Sequence, residues 1–129
     1  MALIQWQANA KRHLQQIFDY YKEHASVAVA QSMSIAIIES IDRLESFPTS
    51  GIIDYELSTE DITYYYVIAE KGNRTYRVYY IYENDICSIL AIWDCSMNPS
   101  KRVSRVAPTR RHRKSSEVKK KAKKVRRGK

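Results

Sequence analysis

Trp6, Ala10, Leu14, Ile17 and Tyr21 recur at steps of four, four, three and four, the spacing of one helix face. Lys11, Arg12, Gln15, Gln16, Asp19 and Lys22 fill the other side, so an amphipathic helix is expected from about Trp6. The short apolar start before it, Ala2 to Gln5, reads as an edge strand. His24-Ala25-Ser26 breaks the period, and Ser26 is placed to cap a second helix. That helix is expected from about Val27 to Ser46. Ala30, Ile37, Ile41 and Leu44 share a face, Ile38 widens it, and Glu39, Asp42, Arg43 and Glu45 take the water side. Pro48 cannot continue a helix and Gly51 offers a turn. The pattern predicts two antiparallel helices joined by a short loop.

After residue 51 the period changes. Ile62 to Ala69 and Thr75 to Tyr82 are β-branched and aromatic, with turn chemistry in Glu70-Lys71-Gly72-Asn73 between them. Glu83-Asn84-Asp85 makes the next turn. Ile86 to Cys95 is expected as a third strand, with Ile86, Leu90 and Ile92 on one face and Ile89, Ala91 and Trp93 on the other. Asn98-Pro99 closes the pattern. The sum is an α+β sandwich, a helical hairpin packed on an antiparallel meander.

Charge divides the chain more sharply than hydrophobicity does. Of the 22 Lys/Arg and 14 Asp/Glu, fifteen bases and one acid, Glu117, lie in residues 100–129. Residues 1–99 keep seven bases and thirteen acids. A mildly acidic domain, 1–99, is therefore expected to carry a polybasic tail, 100–129. The tail's few apolar residues cannot offset a chain entropy of roughly 1–2 kcal/mol per residue, so it is expected to be disordered in isolation. The cations expected to contact nucleic acid there are Lys101, Arg102, Arg110, Arg111, Arg113, Lys119, Lys120, Lys121, Lys123, Lys124, Arg126 and Arg127. If about ten engage duplex phosphates, log K falls with log salt at a slope of about −9. The longest strictly apolar run, Tyr64 to Ala69, is far short of the roughly 20 residues of a membrane helix, and the N-terminus lacks the features of a signal peptide. No membrane association is expected.

Cys87 and Cys95 lie eight residues apart in one expected strand, roughly 26 Å at about 3.3 Å per residue. They cannot pair in that strand and read as packed thiols. His13, His24 and His112 all lie outside the expected strands, so no histidine acid/base pair is expected in the sheet, and no metal site or cofactor is expected. Seven of the ten tyrosines fall between Tyr64 and Tyr82. They could stack RNA bases, but they occupy both strand faces and also suit half-buried strands. Arg77 interrupts an otherwise apolar and aromatic strand, which leaves a buried ion pair, a surface rung or a phosphate contact open. Arg74, at the head of the same strand, is a further candidate nucleic-acid contact.

The order of these signals resembles the RelE/ParE superfamily of bacterial toxins from type II toxin–antitoxin pairs. The matching positions are Trp6 with Ala10, Leu14, Ile17 and Tyr20 in the first helix, and Ile41 and Leu44 leading into Phe47-Pro48-Thr49-Ser50-Gly51. Tyr76-Arg77-Val78-Tyr79-Tyr80 and Ile89-Leu90-Ala91-Ile92-Trp93 come after them. Together they cover residues 3–99. The resemblance implies a RelE-like fold and a cytoplasmic, growth-inhibiting toxin neutralised by a cognate antitoxin. It implies ribosome-dependent mRNA cleavage, with Arg77 on the scissile phosphate, or inhibition of DNA gyrase. The segment after the last strand, Trp93 to Pro99, departs from the ribonuclease branch in having no histidine or basic residue. A missing general acid or base costs about 10²–10⁴-fold in rate. For cleavage, the nearest candidate bases are Glu56, Glu60 or Asp61, just before the strands. The expected antitoxin surface is an apolar groove near Trp6, Ile17 or Tyr21. The competing reading is a nonenzymatic nucleic-acid-binding protein, a degenerate toxin fold carrying a polybasic arm.

Overall fold

A computed structural model describes residues 1–107. Strand β1 (Leu3–Trp6) leads into helix α1 (Ala8–His24) and helix α2 (Val27–Glu39). Strands β2 (Ile52–Ile53), β3 (Tyr65–Lys71), β4 (Arg74–Glu83) and β5 (Ile86–Asp94) come next, and helix α3 (Arg102–Val106) comes last. The sheet order is β1-β5-β4-β3-β2. The meander β3–β4–β5 is antiparallel as expected. The edge strand β1 runs parallel to β5, with Leu3 beside Ile86 and Trp6 beside Ile89, so the sheet is mixed rather than wholly antiparallel.

Local chemistry accounts for the element ends. The Ser26 hydroxyl caps α2 by accepting from the Val29 N–H at 3.1 Å. The second helix stops at Glu39, earlier than its hydrophobic period implies. The Ser40 hydroxyl donates to the Ile37 carbonyl at 2.6 Å, and a 3-10 turn, Asp42–Glu45, takes over. A three-residue period buries both Ile41 and Leu44, while Ile38 is left exposed. Asn84 and Asp85 adopt consecutive positive φ values of 53° and 63°, the type I′ geometry whose twist matches a hairpin.

The sheet is covered on both faces. Ala10, Met33, Ile37, Ile41 and Leu44 of the helical side pack on Tyr76, Val78, Tyr80, Cys87, Ile89 and Ile92. On the other face Leu57, Tyr64, Tyr79, Ala91 and Trp93 pack against Val106 and Ala107. A register shift between Tyr79 and Tyr80 in the β4–β5 ladder changes the expected alternation of β5. Ile89 joins Ile92 beneath the helices, and Leu90 joins Ala91 and Trp93 on the far side. An extra residue in one strand turns the side chains beyond it to the opposite face.

The second layer corrects the expected boundary at residue 99. Asn98 accepts from the Ser100 N–H at 3.0 Å and Pro99 stands at the first position of a short 3-10 turn, Pro99–Lys101, that continues into α3. Residues 100–107, expected as the start of the tail, are part of the domain. Arg110, Arg111, Arg113, Lys119, Lys120, Lys121, Lys123, Lys124, Arg126 and Arg127 lie outside the described residues.

Candidate functional site

Arg77 projects from β4 onto the face away from α1 and α2. Its guanidinium lies 4.3 Å from the centroid of the Tyr66 ring, a cation–π distance, and donates to the Tyr79 hydroxyl at 3.1 Å. The same hydroxyl accepts from Arg102 at 3.1 Å and donates to the Asp54 carboxylate at 2.9 Å. Arg102 forms charge-assisted hydrogen bonds with Asp54 and with Glu56. Tyr79 thus stands between two cations and one anion. Burial pushes its pKa up, the Arg77 hydrogen bond opposes that, and Asp54 reinforces it. Burial works against the charge on Arg102, but Tyr79, Asp54 and Glu56 outweigh it and hold its pKa above the ordinary value.

Asp54 organises this cluster. It is buried and accepts from the backbone N–H groups of Glu56 and Leu57, each at 3.1 Å, besides Tyr79 and Arg102. Four donors on one carboxylate satisfy a buried charge that would otherwise be costly. The sequence pattern does not single out Asp54 or Tyr79, and it assigns Arg102 to the tail as a phosphate contact. Arg102 is instead buried in the domain. The available signal is the Asn98-Pro99 pair with Val103, Val106 and Ala107 after it, a helix start with an apolar face.

The expected carboxylates separate. Glu56 reaches the cluster through Arg102. Glu60 and Asp61 are exposed in a turn held by Thr59, whose hydroxyl accepts from the Asp61 and Ile62 N–H groups. Neither pairs with an arginine among the described residues. Lys101 is exposed. Arg74 belongs to a different place: it lies 3.6 Å from Asp94 and donates to the Ser96 hydroxyl at 3.3 Å.

His13 departs from expectation. It does reach the sheet, where its Nδ1 accepts the Ile92 N–H at 3.1 Å. The partner strand β1 has ended opposite Ile89, so His13 takes over a donor that the ladder no longer serves. Burial first, then Arg105 and Arg12, lower its pKa to about 4. His24 stacks on Tyr20 at the end of α1. The clustered tyrosines are packing groups: Tyr65 stacks on Tyr80 and Tyr66 leans on Tyr79, at 5.1 and 5.3 Å between centroids. Cys87 and Cys95 are free thiols, the first buried and the second exposed.

The expected antitoxin residues sit on the helical side. Trp6, Ile17 and Tyr21 are partly buried against that core. Ile17 and Tyr21, but not Trp6, line a cleft of about 290 Å³ with Arg74, Tyr76, Ile92 and Arg105. Among the described residues no helix is long and apolar enough to cross a membrane.

Comparison with known proteins gives two findings. A family model described as "ParE toxin of type II toxin-antitoxin system, parDE" matches residues 4–99. Among solved structures the chain is similar to one from "Chromosomal ParDE TA system from P. aeruginosa", at 17% identity and a TM-score of 0.58. The match spans 73% of this chain and 96% of that chain, and at this identity the likeness is one of fold. No curated protein matches.

Proposed function

The chain belongs to the ParE toxin family of type II toxin–antitoxin systems, and from that premise we propose that it inhibits growth by acting on DNA gyrase rather than by cleaving mRNA. Family membership implies a cognate antitoxin as partner. The observation that carries the choice of mechanism is the setting of Arg77. Its guanidinium is spent on the Tyr66 ring and the Tyr79 hydroxyl. Acid/base cleavage also needs a group titrating near the working pH beside the phosphate. The described histidines are both on α1, which packs on the opposite face of the sheet. Of the carboxylates proposed as bases, Glu60 and Asp61 stand apart in their exposed turn, and Glu56 is tied up in its ion pair with Arg102. Arg77 on this reading is a positioning residue for a surface formed by β3, β4 and α3.

Inducible expression without antitoxin tests the proposal. Growth should stop while transcripts stay intact, and the purified chain should block supercoiling of relaxed plasmid by gyrase. Discrete cuts in mapped mRNA, with supercoiling unaffected, would overturn it.

The sequence beyond residue 107 supports a second activity beside this one. Twelve Lys/Arg and one acid fall in residues 108–129, a charge density suited to DNA or RNA phosphates without sequence preference. A polybasic arm of this kind would hold the chain on the DNA where gyrase works.

A further inference from the structure

The cleft between α1, the ends of β4 and β5, and α3 combines two features that seldom share a surface. Its walls are apolar and aromatic, with Ile17, Tyr21, Tyr76 and Ile92. Its rim carries two arginines, Arg74 and Arg105, against one carboxylate, Asp94. That carboxylate is already engaged. One of its oxygens accepts from the Ser96 N–H and hydroxyl at 2.9 and 2.7 Å, and the other faces Arg74 at 3.6 Å.

Arg105 is left over. Its Nε is buried with no hydrogen-bond partner, and it has no ion pair, among the described residues. A buried cationic donor without a partner is costly; burial first and Arg12 next push the Arg105 pKa down, and Asp94 across the cleft only partly offsets them. The cationic cleft stands on a body whose residues 1–99 hold thirteen acids and seven bases, so its sign is a local exception.

We infer that this cleft is an anchoring subsite for the antitoxin, taking an acidic residue next to an apolar one, with the carboxylate on Arg105 and Arg74 and the apolar side chain against Ile17, Tyr21 and Ile92. This rests on the toxin–antitoxin reading and adds the chemistry of the contact. The occupant is set by charge. The chain's own residues 108–129 carry twelve cations and one acid, the wrong sign to fill it. A nucleic acid would match the arginines but not an apolar pocket of this size. An acidic, apolar peptide matches both, and a bidentate Arg–carboxylate contact in a half-buried setting is among the stronger polar contacts available.

Two arms test the inference on the full-length chain. In the first, NMR tracks titration with N-acetyl-Leu-Glu-amide and with N-acetyl-Leu-Gln-amide. The acidic dipeptide should shift Ile17, Tyr21 and Ile92 signals and bind at least about fivefold tighter, and Arg74→Gln with Arg105→Gln should erase that preference. In the second, the chain is co-purified with the antitoxin encoded beside it. Arg74→Gln should weaken the complex about tenfold and Arg105→Gln by more, whereas Arg43→Gln, an exposed cation outside the cleft, should change nothing. If Arg105→Gln does not fold, Arg74→Gln, whose side chain is partly exposed, decides. Equal binding of both dipeptides, shifts elsewhere, or wild-type affinity in both arginine variants would overturn the subsite. Failure of the wild-type chain to capture any antitoxin would instead sink the toxin–antitoxin reading, and the dipeptide arm would still decide the cleft.

Discussion

The backbone N–H of Gly51 donates to the Tyr80 hydroxyl at 3.0 Å, and a methyl group placed on Gly51 would meet that same oxygen at 2.5 Å. The hydroxyl in turn donates to the Pro48 carbonyl at 2.8 Å. The Phe-Pro-x-x-Gly stretch is therefore a clamp: a fully buried tyrosine of β4 holds both ends of the turn that leaves the helical hairpin. Phe47 itself is 64% exposed and contributes little to the core. Burial pushes the Tyr80 pKa up to about 12, so the donor to Pro48 persists across the working pH range.

Gly51→Ala should cost about 1–3 kcal/mol, because Tyr80 is hemmed in and cannot yield without breaking its bonds. Tyr80→Phe should cost about 1–2 kcal/mol through the two backbone groups it orphans. In the double variant the alanine should be cheaper than in the wild type, since the oxygen it meets is gone. Thermal or urea unfolding of the three variants measures this; strict additivity would contradict the clamp.

Arg102→Ala should destabilise the chain by about 3–5 kcal/mol, since it removes the counter-ion of the buried Asp54 carboxylate. Asp54→Ala should be comparably severe, because it takes the acceptor from the Tyr79 hydroxyl and two backbone N–H groups and removes the buried counter-ion of Arg102. An Arg102 that served only as a surface phosphate contact would leave the melting temperature of Arg102→Ala unchanged.

Truncation tests the expected boundary at residue 99. A chain ending at residue 107 should unfold cooperatively at close to the full-length temperature. One ending at residue 99 should lose α3, uncover Ala91, Trp93 and Leu57, and bind a hydrophobic dye. Circular dichroism with dye binding distinguishes them, and identical behaviour of both truncations would show that α3 adds nothing to the fold.

His13 gives the fold an acid sensitivity whose direction is fixed. Its folded-state pKa is lowered from 6.5 to about 4, so as pH falls the unfolded chain takes up the proton first. The full stability is present above about pH 6.5 and is lost progressively toward pH 4, by about 3 kcal/mol in total. Melting temperatures between pH 7.5 and 4 should fall steeply in the wild type and less steeply in His13→Gln. Parallel curves would mean that His13 is not the group responsible.

Residues 108–129 should supply most of any nonspecific affinity for nucleic acid. The full chain should bind random duplex with a slope of log K against log salt of about −9 if roughly ten cations engage. The chain ending at residue 107 should bind far more weakly and with a shallow slope. Equal affinities for the two would rule out the arm as an anchor.

The two N-terminal helices, though not where the second one ends, and the three-stranded meander with its turns were legible in the sequence, because hydrophobic period, capping and turn chemistry act over a few residues. Ser26, Pro48 and Asn84-Asp85 announce their roles locally. The charge division was legible too, though not the place where it begins. The features that only the tertiary structure decided depend on partners far apart along the chain. β1 joins β5 as a parallel edge, and a single register shift carries Ile89 beneath the helices. His13 serves a backbone donor of β5 that the neighbouring strand stops short of. Arg77 and Arg102, far apart in sequence, converge on the Tyr79 hydroxyl, and Asp54 beneath it binds both that hydroxyl and Arg102. A buried carboxylate must gather donors from wherever the fold brings them, here from residues up to 48 positions away. No local pattern records that demand.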